Sequence, residues 1–387
     1  MKPVYLDYNA TTPIDPEVID VMLPFLREHF GNPSSSHYYG KIAREAVEKA
    51  RAQVADILGC NANEIIFTGG GTESNNYAIK GAAFALQPKG NHIITTRIEH
   101  PSVLEVCKFL ELNGFEITYL PVDKTGQVRL SDIEEAIRPA TILITIMHAN
   151  NEIGTIQPIK QISKLAKKHN IIFHTDAAES IGKISVKINY LGIHLLSIAG
   201  HKLYAPKGIG ALYIRQNINL IKLIHGAGQE NNRRAGTENV LEILGLGKAC
   251  EVAGRDFDIS TANMRVTRDK LYNGLREKIE GFRLNSNFEN CLPNTLSLSF
   301  KNIDANLLLA KINSSLAVSS GAACHSGSSE VSGVLKALDV PYEWAKGTIR
   351  FSTGKMTTPD EINDAVNIIE SAVLSFSAFK RYSAKKY

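Results

Sequence analysis

The sequence predicts an α/β protein: a large three-layer domain around a mainly parallel, seven-stranded sheet, followed by a smaller α/β domain. Three observations lead there. Between residues 64 and 214, short apolar runs alternate with helical stretches. Most of these runs are unbroken rather than alternating with polar residues, as expected of strands covered on both faces. Near residues 255–265 the rhythm gives way to a long charged helix and a new order of elements.

Residues 4–6 read as a short strand, followed by the polar loop Asp7-Tyr8-Asn9-Ala10-Thr11-Thr12-Pro13. A loop of this composition either turns the chain or lines a site. Residues 16–30 can form a helix, and Gly31-Asn32-Pro33-Ser34 breaks it. Residues 41–58 place Ala43, Ala46, Val47, Ala50, Val54, Ile57 and Leu58 at helical spacing. Strands follow at 65–67, 92–95, 117–120, 141–147, 171–175, 195–198 and 211–214, with helices near 72–86, 101–112, 131–137 and 159–169 between them. The second region holds a helix over 261–279, a strand over 295–300, a helix over 305–312, a strand at 349–352 and a last helix over 358–376. The large domain is therefore set at 16–257, and residues 1–15 with 258–387 make up the small one.

The 387 residues suffice for two cores, and 44% hydrophobic with 21% charged residues fits a globular enzyme. A net charge of +4 argues against direct nucleic-acid binding or a membrane surface. No apolar run approaches the roughly 20 residues of a membrane span. The N-terminus reads directly into folded sequence, without a signal or transit peptide. The five cysteines, Cys60, Cys107, Cys250, Cys291 and Cys324, form no Cys-x-x-Cys pair, so neither a structural metal site nor a disulfide framework is indicated. A reducing cytoplasm is the expected compartment.

The chemistry centres on Gly200-His201-Lys202, which ends an apolar run. A solvated lysine is protonated and a poor nucleophile; one desolvated at a strand exit can lose its proton and form a Schiff base. Most such tripeptides are simply solvated turns, so its partners decide. Gly69-Gly70-Gly71-Thr72 lies between a strand and a helix, where free N–H groups and the helix dipole favour a phosphate, or where the chain merely turns. Asp176 ends another apolar strand, placed either to pair with a pyridine nitrogen or to cap a helix. His100 also follows a strand and suits ring stacking and proton transfer, while Asn151 can donate to a phenolic oxygen. Cys324 sits among small residues and beside His325, surroundings that favour an exposed, reactive thiol over a buried, inert one. Arg350 suits either a two-point clamp on a carboxylate or a surface ion pair. Together they describe a pyridoxal 5'-phosphate site with a cysteine nucleophile over it.

The ordered motifs resemble the cysteine desulfurases of the NifS/IscS group, in the fold-type-I, class V aminotransferase superfamily. The likeness runs through the 5–13 loop, Phe30-Gly31-Asn32-Pro33-Ser34-Ser35, Phe67-Thr68-Gly69-Gly70-Gly71-Thr72-Glu73-Ser74-Asn75 and Glu99-His100. It continues through His148-Ala149-Asn150-Asn151-Glu152, Gly200-His201-Lys202, Arg234-Ala235-Gly236-Thr237-Glu238-Asn239 and the segments of Cys324 and Arg350. The resemblance implies that Lys202 anchors the cofactor, Asp176 pairs with its nitrogen and His100 stacks on its ring. It implies a phosphate held by Gly71, Thr72 and His201, with Thr237 reaching in from the partner subunit of a homodimer. Asn151 would orient cofactor and substrate, and Asn32 and Arg350 would bind L-cysteine. Cys324 would take its sulfur as a persulfide, release alanine and pass the sulfur to an acceptor protein, such as an iron–sulfur cluster scaffold or a thiolation enzyme.

Three positions depart from the family pattern. Ala199 stands where many members place a phosphate-binding serine. Glu179 stands where glutamine usually lies beside the cofactor's phenolic oxygen. The run Gly321-Ala322-Ala323-Cys324-His325-Ser326 is closer to the selenocysteine lyases, which would act on L-selenocysteine. An aminotransferase on the same fold is the more distant alternative, and it would not need Cys324.

Overall fold

The structure, a computed structural model, describes residues 2–321 and 331–383, with side chains through residue 376. The chain opens with β1 (Val4–Tyr5) and then builds one seven-stranded sheet: β2 (Ile65–Thr68), β3 (His92–Thr96), β4 (Glu116–Leu120), β5 (Thr141–Thr145), β6 (Ile172–Asp176), β7 (Leu195–Ala199) and β8 (Gly210–Ile214). Their order is β2-β8-β7-β6-β5-β3-β4, and β8 alone runs against the other six.

Alternate residues of each strand serve different cores. Phe67, Ile144, Phe173, Leu196 and Tyr213 join one cluster with the helices Pro16–Arg27, Tyr38–Leu58, Ile159–Lys168 and Val240–Arg255. Their neighbours Ile66, Leu143, Leu195 and Leu212 join another with Gly71–Leu86 and Pro101–Glu111. Both faces are covered, which is why these strands read as unbroken apolar runs.

The second region forms a four-stranded antiparallel sheet, β12-β13-β10-β9, from β9 (Phe282–Leu284), β10 (Thr295–Phe300), β12 (Ser319–Ser320) and β13 (Thr348–Ser352). Its core lies against the helices Phe257–Lys278, Ala305–Ile312 and Pro359–Ser383. The N-terminus belongs here: β1 pairs in parallel with β11 (Leu316–Ala317), Leu6 is fully buried in this core, and Asp7 bridges to Ser352. The 7–13 loop then crosses to the large sheet, where the Thr12 N–H donates to the His201 carbonyl at 2.9 Å.

The long helix Val240–Arg255 has no counterpart among the expected elements. Its glycines are packing devices: a Cβ on Gly247 would lie 2.6 Å from Ala50, and one on Gly245 would lie 2.7 Å from Pro206. Small residues let this helix approach its neighbours closely, at a cost to its helix propensity.

Candidate active site

The turns that follow β2, β3, β5, β6 and β7 leave the sheet at one edge, its carboxyl end. That edge is where parallel sheets of this kind bind ligands. A cavity of about 170 Å³ lies there, lined among others by Gly71, Thr72, His100, Asn151, Asp176, Glu179, His201, Lys202 and Arg350. Nine of the expected site residues thus meet in one place.

Asp176 is 6% exposed and ends β6. One of its oxygens accepts from the Ala178 N–H at 2.9 Å and caps a turn; the other accepts from Asn75 Nδ2 at 2.7 Å. Asn75 comes from the helix Gly71–Leu86, so this helix is fastened to the site at its first turns. Gly71 opens that helix, and a Cβ there would stand 3.1 Å from Ala199 Cβ, so glycine permits the close approach to the end of β7. First-turn N–H groups have no partner within a helix, which suits this end to an anion. His100 caps the helix Pro101–Glu111 by accepting from the Ser102 N–H at 3.1 Å.

Lys202 follows β7 in the single turn Gly200–Lys202. Its Nζ donates to the Asn9 carbonyl and, at 2.9 Å, to Glu179 Oε1. The other oxygen of Glu179 accepts from Lys183 Nζ at 2.7 Å. Burial pushes the Glu179 carboxyl up, but the charges of Lys183 and Lys202 outweigh it and hold the group at about 2. Burial pulls the Lys183 ammonium down from its ordinary value, against the attraction of Glu179. His201 is drawn down to about 4, by burial first and by Lys202 next, so its ring is neutral at pH 7. Glu179 is therefore a carboxylate turned to two lysines.

Arg350 lies on β13, is 9% exposed and is already engaged: its Nη2 donates to Asp7 Oδ1 at 2.7 Å and to Ser319 at 3.0 Å, and its Nη1 to the Asn151 carbonyl at 3.1 Å. Its ion pair is therefore part-buried rather than on the surface. Among the described residues its Nε is buried without a partner, and so is Asn75 Oδ1. Unpaired buried polar atoms cost free energy unless a ligand or water meets them. With the lysine, the carboxylate and the helix start, they form a donor set that fits pyridoxal phosphate.

Two expected residues do not line the cavity of their own chain. Asn32 is exposed and accepts from the Ser34 N–H at 2.9 Å. Thr237 is exposed beyond the turn Gln229–Asn232. Cys324 lies outside the described residues. Burial raises the thiols of Cys60, Cys107 and Cys250 to about 12 and that of Cys291 to about 11, so these four suit packing rather than sulfur chemistry.

Residue-level reading passed over Asn9 and Lys183. Asn9 is fully buried and joins the two halves of the site: its Nδ2 donates to the Asn151 carbonyl and to Thr295, and its Oδ1 accepts from Lys183 and Asn294. Its signal was the polar 7–13 loop, which gives no hint of which residue turns inward.

A strand-exit lysine, a strand-end carboxylate and a helix start around one cavity define a pyridoxal phosphate enzyme of fold type I. Residues 4–364 match the model of the family described as aminotransferase class-V. A curated relative from Dictyoglomus turgidum, cysteine desulfurase IscS, is 50% identical over 98% of this chain and 97% of its own length. Among solved structures, a NifS-like protein aligns with a TM-score of 0.91 at 40% identity, over 97% of this chain and 100% of that one. SspA in complex with cysteine aligns at 0.82 and 42% identity, over 92% and 100% of the two chains. The chain belongs to the class-V aminotransferase family and, within it, to the cysteine desulfurases.

Proposed function

We propose that this chain is a pyridoxal phosphate-dependent cysteine desulfurase, which converts L-cysteine to L-alanine and leaves the sulfur as a persulfide on Cys324. The observation that carries the reading is the meeting of Lys202, Asp176 and Arg350 around one cavity. The names of the relatives favour it over a selenocysteine lyase or an aminotransferase. When bound, the cofactor would draw electrons from the substrate's α-carbon so that its proton can leave. Lys202 would anchor it, and Asp176, oriented by Asn75, would face its ring nitrogen. Gly71, Thr72 and the neutral ring of His201 would hold the phosphate, and His100 and Asn151 would orient the ring. Arg350, held by Asp7 and Ser319, would offer its Nε–H to the substrate carboxylate.

In the same proposal residues 16–257 hold the cofactor, and 1–15 with 258–387 bring Arg350 and Cys324 to it. The protein would work in the cytoplasm as a homodimer and pass sulfur to an acceptor protein, such as an iron–sulfur cluster scaffold. Among the described residues no helix is long and apolar enough to cross a membrane. The test is Cys324→Ser. It should still bind the cofactor and change its absorbance on adding L-cysteine, but release no alanine, because a hydroxyl cannot take up the sulfur. Alanine formation at the normal rate would remove Cys324 from the reaction.

A further inference from the structure

Two lysines share one carboxylate behind the cavity, in surroundings with almost no solvent. The side chains of Glu179 and Lys183 are 4% and 5% exposed, and that of Lys202 is 16% exposed. Each lysine takes a different oxygen of Glu179, at 2.7 and 2.9 Å, and Asn9 accepts from both, through its side chain for Lys183 and its backbone for Lys202. Among the described residues the charge of Arg350 also acts on Lys183, and Lys202 and Glu179 act on the His201 ring.

With both lysines protonated the cluster carries a buried net positive charge, which low-dielectric surroundings disfavour. A lone Glu179–Lys202 pair would instead be neutral, and the carboxylate would hold Lys202 as an ammonium. An ammonium has no lone pair to add to an aldehyde. We propose that Lys183 is a positioning residue for Lys202, acting through the carboxylate they share. Its donor on one oxygen of Glu179 weakens the grip of the other oxygen on Lys202, so that Lys202 is released to the cofactor more readily. The inference rests on the reading of Lys202 as the cofactor's anchor.

The experiment follows uptake of pyridoxal phosphate by the apoprotein through its absorbance. Borohydride reduction and peptide mapping then show which lysine holds the cofactor. In the wild type the label should fall on Lys202; a label elsewhere would end the anchoring reading itself. Lys183→Met should still label Lys202 but take up cofactor more slowly, by about tenfold, since the remaining ion pair is buried. Lys183→Arg keeps a cation on Glu179 and should load at the wild-type rate. Adding Glu179→Gln to Lys183→Met removes the grip and should restore the rate. Should Lys183→Met not fold, Lys183→Gln removes the same charge and is read by the same criteria. Wild-type or faster uptake by the Lys183→Met variant, or a double variant as slow as the single one, would overturn the proposal.

Discussion

At the scale of single residues, Arg350 combines what two sequence-level readings kept apart. It forms a part-buried ion pair with Asp7 and also lines the cavity. Its planar fork lets it do both: Nη1 and Nη2 are fixed by Asn151, Ser319 and Asp7, and Nε has no partner among the described residues. Lysine can keep the contact with Asp7 but has no second edge to offer. Arg350→Lys should therefore raise the KM for L-cysteine by about 30-fold, equivalent to about 2 kcal/mol for a charge-assisted hydrogen bond. Steady-state kinetics decide it, and an unchanged KM would move the carboxylate site elsewhere. The site was legible in sequence where a residue follows a strand in a marked turn, as Lys202, Asp176 and His100 do. Asn9 and Lys183 were not, because what they do depends on contacts such as that between Asn9 and Asn294, 285 positions apart.

At the scale of elements, the helix Val240–Arg255 and the turn Gln229–Asn232 stayed hidden for physical reasons. Three glycines interrupt the helix's apolar stripe, yet two of those glycines are what let it pack. The turn holds Glu230, Asn231 and Asn232 at φ values of 49°, 54° and 62°. Asparagine tolerates this left-handed region; glutamate does so at a cost. The offset is a buried two-point ion pair, Arg51 Nη1 and Nη2 to Glu230 at 2.6 and 3.0 Å, in which Glu230 also accepts from the Phe67 N–H at 3.1 Å. One arginine thus ties the helix Tyr38–Leu58, β2 and the turn together, since Arg51 also donates to the Ile65 carbonyl. Removing one partner strands the other charge in the interior. Arg51→Ala should cost about 3–5 kcal/mol, read as a lower midpoint in urea denaturation with an unchanged slope. A loss below about 1 kcal/mol, the range of exposed pairs, would mean that Glu230 finds water.

At the scale of the whole molecule, the seven strands and their two packed faces follow from the apolar runs, whereas the strand order and the completion of the site do not. The segment bearing Thr237 is pinned to its own chain: Arg234 pairs with Glu73 at 2.9 Å, and the Tyr77 hydroxyl donates to the Arg233 carbonyl at 2.7 Å. Thr237 nevertheless stays exposed and away from the cavity lining. A hydroxyl held rigidly at the surface serves a phosphate only if the phosphate belongs to another copy. Under two-fold symmetry each site would then need Lys202 from one chain and Thr237 from the other. Lys202→Ala alone cannot fix cofactor under borohydride. Thr237→Asp should not bind it either, since a carboxylate would face the phosphate. Co-expressed, the two variants would form mixed dimers in which the Thr237→Asp chain supplies Lys202 and the Lys202→Ala chain supplies Thr237. Random pairing makes half the dimers mixed, each with one whole site of two, so roughly a quarter of the wild-type label should return. If Thr237 served its own chain, every chain in the mixture would lack one of the two residues. No label would then return, and the exposed threonine would have no part in holding the cofactor of a second subunit.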